Sequence, residues 1–211
     1  MSRLPSNLRQ LIAALRGLLI FTVICGIAYP LVMFGISQVA FNKQANGSPV
    51  SYHGRVVGSK LLCQEFTDAK GNALAQYFQS RPSASATSAT NQTGGCNPLA
   101  SGASNLGPNN SQLVADIRQR QLQISKFDDV PVSAIPADAV TASASGLDPY
   151  ISPQNAAIQV HRIAAARHIS AATVRALVIK YTFGRQLGFL GEPGVNVLLL
   201  NVALDQRHPV P

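Results

Sequence analysis

GLLIFTVICGIAYPLVMFGISQVAFN, Gly17 to Asn42, contains no Asp, Glu, Lys or Arg. As a helix, these roughly 26 residues would run about 39 Å, and a bilayer core needs only about 20 apolar residues. A lone segment in lipid can satisfy its backbone polar groups only as a helix. The stretch therefore reads as one transmembrane helix. Pro30 removes a backbone donor mid-span, which predicts a kink near Gly26–Pro30. Gly17, Gly26 and Gly35 leave thin places where a partner helix would approach, although glycine is in any case common in membrane helices.

Flanking charge sets the orientation. Arg3, Arg9 and Arg16 precede the span without an acid, and only Lys43 follows closely before Arg55. The positive-inside rule places the N-terminus in the cytoplasm. The apolar core is too long for the competing reading, a cleaved signal peptide. The sequence thus divides into a cytoplasmic tail (1–16), a transmembrane helix (17–42) and one extracytoplasmic domain (43–211).

That domain is large enough to bury a core of its own. The chain has 17 basic and 9 acidic residues, a net charge of +8. The basic residues are scattered, apart from Arg118 and Arg120, and no tryptophan or basic–aromatic run accompanies them. This argues against a nucleic-acid partner. Anionic lipid headgroups are the better counter-charge. Cys25 lies inside the span. Cys63 and Cys96 lie beyond it and either pair as a disulfide or stay buried as thiols.

Along the chain, Gln44–Val50 is a turn-rich exit from the span. Arg55–Phe66 reads as one or two short strands around Gly58. Arg81–Asn110 is rich in Ser, Gly, Asn and Pro, and its composition suits a flexible linker or an ordered binding loop. Ser111–Lys126 has helical periodicity. Ser152 as N-cap with Pro153 at the first helical position starts a helix through Arg167, and Ser170 caps another through Tyr181. Val195–Asp205, rich in Val and Leu, reads as a buried strand. Strands early and late with helices between them predict an α+β domain.

For catalysis, the strongest candidates are Ser143 or Ser145 as nucleophile, His161 or His168 as base and Asp148 as orienting acid. There is no GxSxG elbow and no phosphate-binding glycine loop. Asp128-Asp129 reads as a solvated turn. Asn46, Asn91 and Asn109 begin glycosylation sequons, as expected by chance in an Asn/Ser-rich chain. Residue chemistry alone ends at a bitopic protein without an evident active site.

A series of motifs carries the reading further: Tyr29-Pro30, QANGS at 44–48, GSKLLCQEF at 58–66, YFQSRPSA at 77–84, ASGASNLGPNN at 100–110, TASASGLDPYISP at 141–153, QVHRIAAAR at 159–167 and LGFLGEPGVNVLLLNVALD at 187–205. In this order behind one span, they resemble the small C subunit of bacterial Kdp-type potassium-transporting P-type ATPases. Two positions depart from that family's pattern. Cys63 stands where Gly is usual, and Gly194 where a larger or basic residue is common.

The resemblance implies an ordered loop over Arg81–Asn110. It marks Arg81, Pro82, Ser83, Asn105, Leu106, Gly107, Ser145, Gly146, Leu147, Asp148, Gly191, Asn196 and Asn201 as motif residues. It implies three partners: a channel-like potassium-binding subunit, an ATP-hydrolysing subunit and a very small membrane peptide. It also implies a non-catalytic role in assembly and in raising ATP affinity on the hydrolytic subunit. ATP would then be a cofactor of the partner, with no contact residues assigned here. The alternative is an anchored extracytoplasmic binding or sensor domain acting alone.

Overall fold

The computed structural model describes residues 5–85 and 96–210. The chain divides into two compact units after Ser48. The first unit is one long apolar helix and its exit. Helix α1 (Ser6–Val23) runs into a π-helical turn (Ile24–Ala28) and then α2 (Tyr29–Ala40). Together they form a 35-residue helix, long and apolar enough to cross a membrane, with none of its most apolar window buried. The helix begins well before the charge-free core of the sequence.

The π turn falls just before Pro30, within the stretch where a kink is expected. Proline at position 30 has no N–H for the Gly26 carbonyl, and its ring crowds that carbonyl. The turn widens there, and Tyr29 N–H reaches back to Ile24 O, the single-turn bulge that such positions favour. A Cβ on Gly17 or Gly35 would meet nothing within 4 Å, and one on Gly26 would meet only Thr22 of its own helix. All three positions are thus open for close approach. A short α3 (Asn42–Ala45) ends the unit.

The second unit begins with an antiparallel hairpin, β1 (Pro49–Tyr52) and β2 (Arg55–Ser59), which pairs Pro49 with Ser59 and carries a bulge at Val50/Ser51. The expected strand region stops at Ser59, where the chain turns. Residues 60–85 and 96–110 contain no named element among the described residues. Helix α4 (Ser111–Asp128) starts where the Asn110 side chain accepts from Gln112 and Leu113 N–H, and stops where Asp129 turns left-handed at φ 53°. A short α5 (Ala137–Val140) and β3 (Tyr150–Ile151) follow. Ser152 caps α6 (Pro153–Ala166), and Ser170 caps α7 (Ala171–Tyr181), as their sequences predict. Strands β4 (Thr182–Phe183) and β5 (Gly194–Asn196) complete an antiparallel sheet of order β3-β5-β4.

One expected element is replaced. Only the first residues of Val195–Asp205 are strand, and the rest is α8 (Val197–Arg207). The Asn196 side chain accepts from Leu199 N–H at 3.0 Å and starts the helix. Nearly every side of α8 is buried, including Val197, Leu198, Leu200, Asn201, Ala203 and Leu204. A helix buried all round has no polar stripe, so its sequence carries no 3.6-residue signal to separate it from a strand. The main core joins α6, α7, α8 and β5 around Phe78, Val160, Ile163, Val174, Val195 and Leu200. A smaller cluster forms where α4 meets α5, at Ile124, Ala139 and Val140. The unit is mixed helix and sheet, as the sequence predicts.

Candidate functional site

The core is built around a segment with no regular structure. Residues 75–79 pass beside α6 and α8, and Phe78 is fully buried. A buried backbone must find partners for its polar groups, and here side chains supply them. Arg162 donates to the carbonyls of Ala75 (2.6 Å) and Tyr77 (2.9 Å). Arg167 donates to Gln76 O at 2.7 Å. The Asn201 amide takes both backbone groups of Phe78, each at 2.9 Å. The Gln159 amide does the same for Gln79, at 2.8 and 3.2 Å. Asn201 stands on α8 and Gln159 on α6, so the two helices each grip one residue of the segment.

The arginines are held in turn. Arg162 pairs with Asp128 at 2.7 Å and lies over the Phe127 ring. Arg167 pairs with Asp205 at 2.8 Å and lies over Tyr77. Burial pushes the Asp128 carboxyl above its ordinary range, against the pull of Arg162. Burial likewise lowers Arg162, and Asp128 opposes the shift. Asp128 is thus a buried partner of α6, not half of a solvated turn. Of the adjacent acids, Asp129 is exposed as the left-handed cap, and Asp128 faces inward. Burial also raises the Tyr77 hydroxyl, assisted by Asp205 and opposed by Arg167.

This segment delivers Arg81, Pro82 and Ser83 to a second, more superficial cluster that also contains Ser145, Gly146, Leu147 and Asp148. Arg81 pairs with Asp148 at 3.0 Å and donates to Thr141 O at 3.4 Å. Ser143 N–H donates to Pro82 O at 2.8 Å, and the Ser83 hydroxyl donates to Gly146 O at 2.8 Å. Ser101 and Gly102 both donate to Ser145 O. Gly146 is required: its φ is +73°, and a Cβ there would lie 2.7 Å from Gly102 O. Ser145 and Ala144 stay exposed at the rim. Arg81–Ser83, Cys96, Ser101 and Gly102 of the Arg81–Asn110 loop are therefore bonded into the domain, and residues 86–95 lie outside the described residues. Asn105, Leu106 and Gly107 precede α4 without a bond to this cluster, and Asn105 turns left-handed at φ 52°. Gly191 lies apart, in the β4–β5 connection. Asn196 donates to Lys60 O at 2.9 Å.

Cys63 and Cys96, which the sequence leaves open, form a disulfide with Cα atoms 5.9 Å apart and a sequence separation of 33. Both are buried, and Cys63 N–H donates to Leu147 O at 3.0 Å. The bridge thus ties the middle of that loop to the Ser145–Asp148 turn. A loop of this length is worth about 3–4 kcal/mol in the chain-entropy model. Cys63→Ala is expected to lose about that much, and reductant to lower the melting temperature of the parent but not of the variant. Equal melting of parent and variant without reductant would refute a stabilising bridge.

The residues considered for nucleophilic catalysis do not assemble. Ser143 Oγ bonds Ser145 Oγ and Gly146 N–H. Asp148 is taken by Arg81 and by Tyr150 N–H. His161 is exposed beside Arg175, and His168 is exposed in a left-handed turn. No group of three or more metal-ligating side chains occurs among the described residues. The sequons at Asn46 and Asn109 are exposed, and Asn91 lies outside the described residues. The arrangement fixes a surface loop; it does not poise a nucleophile.

Comparison with known proteins gives the identity of this arrangement. The family model for the K+-transporting ATPase c chain, KdpC, matches residues 11–206. The chain belongs to the KdpC family. It is 46% identical over 199 residues to the potassium-transporting ATPase KdpC subunit of Mycobacterium bovis BCG, covering 94% of this chain and 98% of that one. Identity is 48% over 187 residues to the KdpC subunit of Paraburkholderia phytofirmans, covering 89% and 91%. For that of Methylococcus capsulatus it is 46% over 192 residues, covering 91% and 95%. The KdpC match includes the apolar helix from residue 11 onward, the clamped segment and α8.

The resemblance marks Asn196 and Asn201 singly but Gln159, Arg162 and Arg167 only within QVHRIAAAR, and Asp128 reads from sequence as part of a solvated turn. Gln159 and Arg162 stand on the same helical face as Ile163. Polar groups on an otherwise apolar face were the available signal.

Proposed function

We propose that this chain is a non-catalytic accessory subunit of an ATP-driven, high-affinity potassium uptake complex. It crosses the membrane once and carries its second unit on the extracytoplasmic side. The end-to-end KdpC match carries the reading. Ser143, Ser145 and Asp148 are engaged in structural bonds, which supports a binding role. Arg9 and Arg16 before the span favour a cytoplasmic N-terminus, and a buried disulfide in the second unit favours an oxidising compartment. Partners are a channel-like potassium-binding subunit, an ATP-hydrolysing P-type subunit and a very small membrane peptide. Promotion of ATP binding is then indirect, through the membrane subunits.

The test is purification in mild detergent. Partner subunits and potassium-dependent ATP hydrolysis should co-purify with a tagged chain, and deletion of the chain should abolish that activity. Unchanged hydrolysis without it would sink the reading. Orientation is checked separately on Ala144→Cys. An impermeant thiol reagent should label it in intact cells, and labelling only after lysis would reverse the topology.

The helix is part of the proposed interface. Small residues let membrane helices approach closely, and Gly17, Gly26 and Gly35 are open. Gly26→Leu is expected to reduce recovery of the complex, and a poly-Leu span of equal length more so. Wild-type recovery with the poly-Leu chimera would make the helix a tether only.

A further inference from the structure

The clamp around residues 75–79 leaves a recess on one side. Helices α4, α5 and α6 meet there over residues 79 and 80, and Gln79, Ser80, Phe127, Asp128, Ala139 and Gln159 line the space between them. Its volume is about 20 Å3. One ordered water needs about 10–15 Å3 and two to four polar partners. The recess is thus water-sized, and the chemistry of its wall indicates the guest.

The donors around it are directed elsewhere. The Gln79 amide nitrogen donates to the carbonyls of Phe66 and Leu74, each at 3.1 Å. The Gln159 nitrogen donates to Gln79 O and to Asn155 Oδ1. The Ser80 hydroxyl donates to Gln64 O at 3.1 Å. What is left is acceptors. Asp128 is 5% exposed, and its Oδ1 takes Arg162, while its Oδ2 has no donor among the described residues. Gln79 is equally buried, and its Oε1 likewise has none. Neither oxygen is sealed from water, in contrast to Arg81 Nε, which is enclosed without a partner. Two unspent acceptors on buried side chains therefore stand at this recess, and buried acceptors in folded proteins find donors.

We propose that the recess binds one ordered water, which donates to Asp128 Oδ2 and Gln79 Oε1 and so joins α4 to the clamped segment. The charges favour a neutral donor over a cation. Arg162 at 2.7 Å already balances the Asp128 carboxylate, and a cation held beside that guanidinium would be repelled at close range. Asp138, the other carboxylate nearby, is taken by Ser152 and by the Asn155 amide. The water completes the shell of Asp128: one oxygen is held by α6 through Arg162, and the other by the segment through Gln79. The end of α4 is then fixed to both.

The test uses the full chain in detergent. Crystals diffracting well enough to show ordered waters should reveal one density peak about 2.5–3.0 Å from both oxygens. A parallel crystal grown with thallium(I) as the monovalent cation should show no anomalous signal at that point. Two variants of the lining residue Ala139 read the same contact in solution. The methyl groups added by Ala139→Val displace the water and orphan both acceptors, so the melting temperature should fall by at least about 4 °C. The hydroxyl added by Ala139→Ser is itself a donor, and this variant should melt within about 2 °C of the parent. Ordered side chains with no density between them would overturn the proposal. A thallium peak would overturn it too, and would make the recess a cation site. So would an Ala139→Val variant that melts at or above the parent, as expected for filling a dry void, or equal losses in the two variants.

Discussion

Arg162→Met is expected to cost about 3–5 kcal/mol, the range for removing one partner of a buried ion pair. That is a large share of the 5–15 kcal/mol by which ordinary domains are stable. Methionine keeps most of the stem's packing, so the loss isolates the guanidinium. It strands the Asp128 carboxylate, buried at 5% exposure, and withdraws donors from Ala75 O and Tyr77 O. Asp128→Asn is expected to cost clearly less. Arg162 then keeps Ala75 O, Tyr77 O and the Gln159 side chain, and the asparagine oxygen still accepts. Urea denaturation of the full chain in detergent, followed through the second unit's signal, measures both. A larger loss in Asp128→Asn than in Arg162→Met would invert the argument.

Acidity gives the same pair a second signature. A carboxyl whose folded pKa is raised binds its proton more tightly in the folded state. The stability it contributes is fully present below the ordinary value of 3.8 and is lost as pH rises through the raised one. Asp128→Asn removes that titration. The gap between parent and variant should therefore widen as pH falls through this window.

The membrane helix is legible in the sequence because it is local: charge-free length suffices. The caps at Ser152 and Ser170 are legible for the same reason, since the hydroxyl and the N–H it accepts are three residues apart. What failed depends on distance in sequence. Arg162 meets residues 85 and 87 positions away, and Asn201 meets one 123 positions away. No local pattern announces such contacts. The strand expected at Val195–Asp205 failed because burial on all sides erased the period that marks a helix. Gly194 stands where the resemblance leads one to expect a larger residue, and the fold leaves no room for one. A Cβ there would lie 2.6 Å from the Phe183 ring, which packs edge-on against Tyr150. In this chain the ring occupies the space that a larger residue would need.

Asn201→Leu is expected to be comparably damaging, for a purely polar reason. Leucine keeps asparagine's branching and suits an apolar surrounding, so a packing account predicts only the modest cost of its extra volume. The hydrogen-bond account predicts otherwise. Phe78 is fully buried, and both its backbone groups depend on the Asn201 amide. Each orphaned group costs about 1–3 kcal/mol, so the pair costs about 2–6 kcal/mol. Asn201→Asp separates the two halves of the amide. It keeps the acceptor for Phe78 N–H but sets an oxygen against Phe78 O, so it should also destabilise, and less so at acid pH, where a protonated carboxyl donates again. Loss of the clamp frees the segment leading to Arg81, Pro82 and Ser83, which hold the Ser145–Asp148 turn. Recovery of the potassium-transporting complex should therefore fall with the melting temperature in both variants. Stability like the parent's in Asn201→Leu would mean that the segment is held by the Phe78 side chain alone, and that the amides of α6 and α8 only follow a path already set by the core.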